Sequence, residues 1–439
     1  MERLVFSKLE QWKNSPARKP LVLRGARQVG KTWVMKEFGK RYFKNVAYVN
    51  FDNNSAMKAV FEGDFDISRI LLAVSAETGI SVKADETLLV FDEVQEVPRA
   101  LSSLKYFCEE APEYAVIAAG SQMGVALHRG TNFPVGKVDL LNLYPLSFTE
   151  FLMATENEQL ISVLQSCDWN LICSLKTRFI RRMKEYFYVG GMPQAVQSFI
   201  DEQDWNLVRK IQKTLLEVYQ QDFLKYASAE LCARLNLVWN SIPAQLSKEN
   251  KKFIYGQIKK GSRAKDFALA IQWLSDCGLI HLVHGLSKPG YPLKAYEELD
   301  SFKIYMNDIG LLCALGGTDI KTILDENVFF VEFKGALTEQ FVLQQLLSST
   351  DLKLFYYSSP NSSGEIDFVT QIEDLVVPIE VKASENLQAK SLKAFHQKWQ
   401  NEFSVRTSLS DFRRDGWLTN VPLYGIHNIE MCILPPSPM

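Results

Sequence analysis

The stretch Pro20-Leu21-Val22-Leu23-Arg24, followed by Gly25-Ala26-Arg27-Gln28-Val29-Gly30-Lys31-Thr32, restricts the fold of this chain more than any other. Two glycines spaced by four residues and followed by Lys-Thr form the phosphate-binding loop pattern, which needs a strand before it and a helix after it. An anion held there is met by backbone N–H groups at the start of that helix, so Gly25, Ala26, Arg27, Gln28, Val29, Gly30, Lys31 and Thr32 are the expected nucleotide-binding residues. Lys31 is expected to reach the terminal phosphates and Thr32 to supply a hydroxyl ligand to Mg²⁺.

The apolar run Leu88-Leu89-Val90-Phe91 ends in Asp92-Glu93 and reads as a buried parallel strand with its carboxyl end at the ligand. Asp92 is expected to hold Mg²⁺ and Glu93 to polarise the attacking water. A further strand, Ala115-Val116-Ile117-Ala118-Ala119, ends in Gly120-Ser121, with Ser121 placed to sense the terminal phosphate. Together with Val46–Asp52 and the helical segments between, the order strand, helix, strand, helix, strand predicts a doubly wound α/β sheet with bound ATP and Mg²⁺.

At 439 residues the chain exceeds one core, and 49 Lys and Arg against 51 Asp and Glu leave a net charge of −2. No global basic field is present, so any polyanion site must be a local patch. Seven scattered cysteines without Cys-x-x-Cys spacing argue against a zinc site or a disulfide framework. No apolar run is long enough to span a bilayer, so the expectation is a cytoplasmic protein without a membrane partner.

The loop, Phe91-Asp92-Glu93, Gly120-Ser121, Tyr144-Pro145-Leu146-Ser147-Phe148, Gly190-Gly191-Met192-Pro193 and Glu380-Val381-Lys382 together resemble a widespread prokaryotic group of AAA-type ATPases. That group carries a C-terminal uncharacterised domain similar to the restriction-endonuclease fold. The resemblance implies four regions: an ATPase domain over 1–151, a helical lid over 152–227, a winged helix over 228–300 and an endonuclease-like α/β domain over 301–439. Where relatives often have Gly-Arg before the Tyr-Pro-Leu block, this chain has Gly136-Lys137. Arg and Lys are not interchangeable as phosphate clamps, so Lys137 and Arg129 are both candidates for that contact. In the lid, Arg178, Arg181, Arg182 and Lys184 read either as a solvated helix face or as phosphate or subunit contacts.

Between 228 and 300 three helical stretches precede a strand pair whose tip is Ser287-Lys288-Pro289-Gly290, the order of a winged helix. Lys259, Lys260, Arg263 and Lys265 crowd the start of the third helix, the end that enters the major groove in helix-turn-helix proteins. The alternative is a protein-binding winged helix with an ordinary basic surface.

Farther on, Glu365–Ile372 and Leu375–Lys382 are separated only by Glu373-Asp374, a two-residue hairpin loop. With Ile372 facing Leu375, Asp367 falls opposite Glu380, and period two puts Lys382 on the face of Glu380. Adjacent carboxylates repel unless a cation lies between them. The arrangement resembles the PD-(D/E)xK nuclease core, which implies a metal held by Asp367 and Glu380, with Glu339 as the additional acid and Lys382 beside the attacked phosphate. Pro378 is expected to restrict its strand to a place where a missing N–H is tolerated.

Two functions follow. One is a Mg²⁺-dependent ATPase acting on DNA, with metal-dependent cleavage by the C-terminal domain. The other is an ATP-driven switch or scaffold whose winged helix binds a protein partner, with a non-catalytic nuclease-like domain. Self-association fits either.

Overall fold

The computed structural model describes residues 1–120, 133–248, 251–324, 331–359, 364–385 and 388–433, with backbone only at 331–332. It separates into two compact units. One comprises Glu2–Tyr144 with Gln272–Leu279, the other Met1, Pro145–Ile271 and Ile280–Met439. Ser121 and Arg129 lie outside the described residues.

In the first unit the apolar runs dictate a five-stranded parallel sheet: β1 (Leu21–Arg24), β2 (Asn45–Asn50), β3 (Thr87–Asp92), β4 (Ala115–Ala119) and β5 (Asp139–Asn142), in the order β2-β3-β4-β1-β5. β3 and β4 are buried at every position, as interior strands covered on both faces must be. β5 alternates half-buried and exposed residues, fitting its place at the edge. α1 (Val5–Asn14) precedes β1, α2 (Lys31–Tyr42) follows the glycine loop, and α3 (Pro98–Glu110) joins β3 to β4. Phe91 anchors the core on one face, meeting Phe51, Phe61 and Phe107 edge-on at centroid separations of 5.9, 5.6 and 6.0 Å. Such pairs add about 0.5–1.5 kcal/mol each beyond the area they bury.

The second unit begins with helices through residue 226, among them α4 (Phe148–Ala154) and α5 (Lys176–Val189). Ser147 and Glu150 form a buried capping box at the start of α4. α6 (Ala229–Leu246), α7 (Tyr255–Ile258) and α8 (Ala264–Asp276) then lead into β6 (Ile280–Leu286) and β7 (Glu297–Met306), which pair antiparallel. Three helices before a strand pair is the expected order. β6, however, also pairs in parallel with β8 (Phe355–Ser358), so the pair forms one end of an eight-stranded sheet. The boundary expected after residue 300 falls inside β7: Glu298, Leu299 and Asp300 are exposed, and the strand runs on buried from 301 to 306.

The rest of that sheet is β9 (Glu365–Ile372), β10 (Leu375–Val381), β11 (Ser404–Ser408), β12 (Arg413–Asp415) and β13 (Leu418–Pro422), giving the order β12-β13-β11-β10-β9-β8-β6-β7. The β9–β10 register is the one read from the hairpin, with Ile372 opposite Leu375 and Phe368 opposite Ile379. Pro378 sits in an interior strand. The Lys382 N–H donates to Thr407 O on the β11 side, so by period two the Pro378 nitrogen faces that side too, but pairing with β11 starts only at Ile379. No ladder bond is lost.

Two sequence blocks meet in a polar knot at the heart of this unit. Leu146 N–H donates to Gly191 O at 2.7 Å, and Gly191 N–H donates to Asp308 Oδ2 at 2.6 Å. Asp308 caps α9 (Ile309–Leu315), and Tyr186 Oη donates to Leu146 O at 2.5 Å. From α10 (Val331–Ser349), Gln344 donates to Tyr186 Oη at 2.9 Å and Gln345 accepts from Phe148 N–H at 2.6 Å. Buried polar groups need such partners, and here the Tyr-Pro-Leu-Ser-Phe and Gly-Gly-Met-Pro blocks supply them to each other.

Candidate nucleotide site

The loop between β1 and α2 carries the expected geometry. Gly30 ends it at φ 96° as the N-cap residue of α2, a left-handed conformation that disfavours any side chain. The N-terminus of α2 therefore opens directly onto the loop, where backbone N–H groups and the helix dipole favour an anion. Lys31 folds back so that its Nζ donates to Gly25 O and Ala26 O, both at 2.9 Å. Burial lowers its pKa to about 8 against the raising fields of Glu93 and Asp92. An ammonium so placed has lost water and donates to two neutral carbonyls, and a phosphate is a partner that would satisfy it more fully.

Thr32 Oγ1 donates to Asp92 Oδ2 at 2.6 Å, so the two expected magnesium ligands are already in contact. The same carboxylate oxygen accepts from Tyr48 Oη at 2.9 Å, and Asp92 Oδ1 accepts from Glu93 N–H at 3.0 Å. A hydroxyl beside a buried carboxylate is a hard-oxygen set that fits Mg²⁺. Glu93 lies just beyond β3 at φ 54°, and Gln95 Nε2 donates to its Oε2 at 2.5 Å.

Two residues of this site escaped the sequence reading. Tyr48 joins it from the neighbouring strand β2, and Arg3 braces the loop from the chain start, donating to Val29 O at 3.1 Å and Tyr144 O at 2.7 Å. Alternation along β2 marks Tyr48 as one facing residue, but no local signal marks Arg3. Lys137 fails as a phosphate clamp. It pairs with Glu109 at 2.8 Å, next to the start of β5 and the end of α3, whereas the loop lies at the opposite, carboxyl ends of the strands.

In the second unit, Lys259, Lys260, Arg263 and Lys265 are all exposed, before and within the first turn of α8, where Asp266 Oδ2 accepts from Arg263 N–H at 2.8 Å. Of the lid cations, Lys184 Nζ donates to Leu324 O at 3.3 Å, and two others pair within their own helix. Arg182 and Arg181 pair with Glu185 at 2.6 and 3.4 Å, in line with the solvated-face reading.

The C-terminal acids are each engaged. Ladder pairing stops at Phe368–Ile379, and Asp367 Oδ2 accepts from Val381 N–H at 2.7 Å. Glu380 is buried and pairs with Lys382 Nζ at 2.8 Å. Glu339 accepts from Tyr305 Oη at 3.0 Å and is neutralised by Lys251, with buried Lys303 at 3.9 Å. Lys303 also pairs with Glu365. Burial and the negative field of Glu339 push Asp367 up to about 8, while Lys251 and Lys303 hold Glu339 below its ordinary value despite its burial. Among the described residues no three His, Cys, Asp or Glu side chains converge as a metal site.

Comparison with known proteins places three family matches along the chain: an AAA domain over residues 17–152, a domain of unknown function (DUF8612) over 180–322 and another (DUF4143) over 334–425. No curated protein matches. Among solved structures, a Walker-type ATPase of Pyrococcus abyssi is 16% identical, with 71% of this chain and 94% of that chain covered at a TM-score of 0.40. The ORC1 protein of Aeropyrum pernix in complex with DNA is 12% identical, with 74% and 95% covered at 0.27. At these TM-scores the likeness does not bear on function. Among the described residues no helix is long and apolar enough to cross a membrane. Loop, strand order and family match agree that residues 17–152 form a P-loop domain of the AAA type.

Proposed function

We propose that this protein hydrolyses ATP with Mg²⁺ at the loop of residues 25–32 and acts on DNA. The observation that carries the proposal is the single constellation of Lys31, Thr32, Asp92 and Glu93 at the carboxyl ends of β1 and β3. Lys31 binds the terminal phosphates, leaving its carbonyl partners for a charge-assisted contact. Thr32 and Asp92 would hold Mg²⁺, which when bound neutralises charge on the phosphates. Glu93 orients a water toward the terminal phosphate and accepts its proton, with Gln95 fixing the carboxylate. Glu93→Gln keeps nucleotide affinity and loses hydrolysis on this reading. A variant that still turns over ATP at the parent rate would remove Glu93 from the chemistry.

DNA binding rests on the four exposed cations at the start of α8, whose helix-before-hairpin setting supports a winged-helix role. For the C-terminal sheet the partnering of the acids favours a non-cleaving support over a nuclease. Lys251 and Lys303 already provide Glu339 with the positive charge that a metal would bring. Supercoiled plasmid incubated with the protein and Mg²⁺ or Mn²⁺ should stay intact. Nicking that disappears in Asp367→Ala would establish cleavage instead.

A further inference from the structure

One element of the nucleotide-binding unit comes from far outside the AAA match. The last turn of α8 and the residues after it, Gln272–Leu279, belong to this unit although the chain on either side belongs to the other. The helix ends in a Schellman motif: Leu279 N–H donates to Leu274 O at 3.0 Å, and Gly278 N–H to Ser275 O at 2.9 Å, with Gly278 left-handed at φ 68°. That turn rests on the phosphate loop. A Cβ on Gly278 would stand 3.2 Å from Ala26 N, tighter than an ordinary side-chain contact, and 3.6 Å from Gly25 C.

The contact lies at one particular end of the loop. Lys31 reaches the terminal phosphates of a bound nucleotide, and its ammonium stands on the carbonyls of Gly25 and Ala26, the same two residues that Gly278 covers. Buried Cys277 lies within the field of that ammonium, and Asp276 within the field of Arg24. An anion site is thus approached by a helix C-terminus, which carries about half a negative charge, with Asp276 at that end beside Arg24. This is the reverse of the arrangement that favours phosphate.

We propose that the turn Asp276-Cys277-Gly278 senses the terminal phosphate by repulsion: a triphosphate drives it off the loop, and a diphosphate leaves it seated. The proposal rests on the ATP reading above and adds the regulation of that site. Because the turn continues α8, which has Arg263 just before its start and Lys265 in its first turn, its displacement gives the nucleotide state a direct covalent route to the cations assigned to DNA. Leaving the loop takes Cys277 out of its buried position.

The test is the rate at which N-ethylmaleimide alkylates Cys277 in the full chain, read by peptide mass spectrometry. It is measured without nucleotide, with Mg·ADP and with Mg²⁺ and a non-hydrolysable ATP analogue, each ligand's binding being measured separately. Buried Cys232 on α6 serves as the internal reference. The triphosphate should raise the Cys277 rate roughly fivefold over the diphosphate, the size expected for one dipole-scale repulsion, and leave Cys232 unchanged. Asp276→Asn should shrink that ratio. Equal rates with both ligands bound would overturn the sensor and leave the ATP reading standing. A ratio unaffected by Asp276→Asn would overturn repulsion as its cause, and failure of either ligand to bind would overturn both proposals together.

Discussion

Replacing Asp367 by Asn isolates the electrostatics of the buried acid cluster. Burial and the charge of Glu339 push the Asp367 carboxyl up to about 8, whereas an unfolded chain releases that proton near its ordinary value of about 3.9. Above about pH 4 the folded state therefore retains a proton that the unfolded state gives up. The stability this proton contributes is complete below about pH 4, falls as pH rises toward 8, and levels off beyond. The parent therefore loses stability from this group between about pH 5 and pH 7, by an amount on the order of 2–3 kcal/mol. Sharing of charge with Glu339, Lys251 and Lys303 brings the expected loss to about 2 kcal/mol. Asparagine keeps an oxygen for the Val381 N–H and carries no proton to lose. Urea unfolding followed by tryptophan fluorescence, at several pH values, should therefore show Asp367→Asn gaining on the parent by about 2 kcal/mol over that interval. A parent-minus-variant difference that is flat with pH, or that moves the other way, would refute the burial argument.

Two other outcomes can be checked directly. Gly191→Ala should cost about 3 kcal/mol or more, seen as a lowered melting temperature, because its Cβ would come within 2.7 Å of Leu146 N and closer still to the Leu146 carbonyl oxygen. Reversing Arg263 and Lys265 to Glu should reduce the slope of log affinity for duplex DNA against log salt by about two units; an unchanged slope would place the DNA contact elsewhere.

What could be read from the chain was local or periodic. The glycine loop, the fully apolar β3 and β4 and the two-residue hairpin loop each fix structure within a few residues, so Lys31, Thr32, Asp92 and the Phe368–Ile379 register emerged where the sequence placed them. The site's remaining parts come from long-range contacts that no periodicity encodes. Arg3 grips Val29, Lys251 neutralises Glu339 across 88 positions, and the turn at Gly278 returns to Ala26. The hairpin register was legible, but the ladder ends at Phe368–Ile379, one pair short of Asp367 and Glu380, and Asp367 accepts from Val381 N–H instead. Whether buried acids need a metal depends on which cations the rest of the fold delivers, and here the fold delivers lysines to Glu339 and Glu380. The Gly190-Gly191 pair shows the same limit: its role is set by Leu146 and Asp308, residues distant in sequence.

Equilibrium binding of Mg·ATP to the parent and to Lys31→Ala puts the nucleotide site to the most direct test. Removing one charge-assisted contact worth about 1.5–3 kcal/mol should weaken binding by roughly ten- to a hundredfold, with the fold intact by circular dichroism. Equal affinity in the two proteins, or no binding by the parent, would contradict the assignment of residues 25–32 as a working nucleotide site.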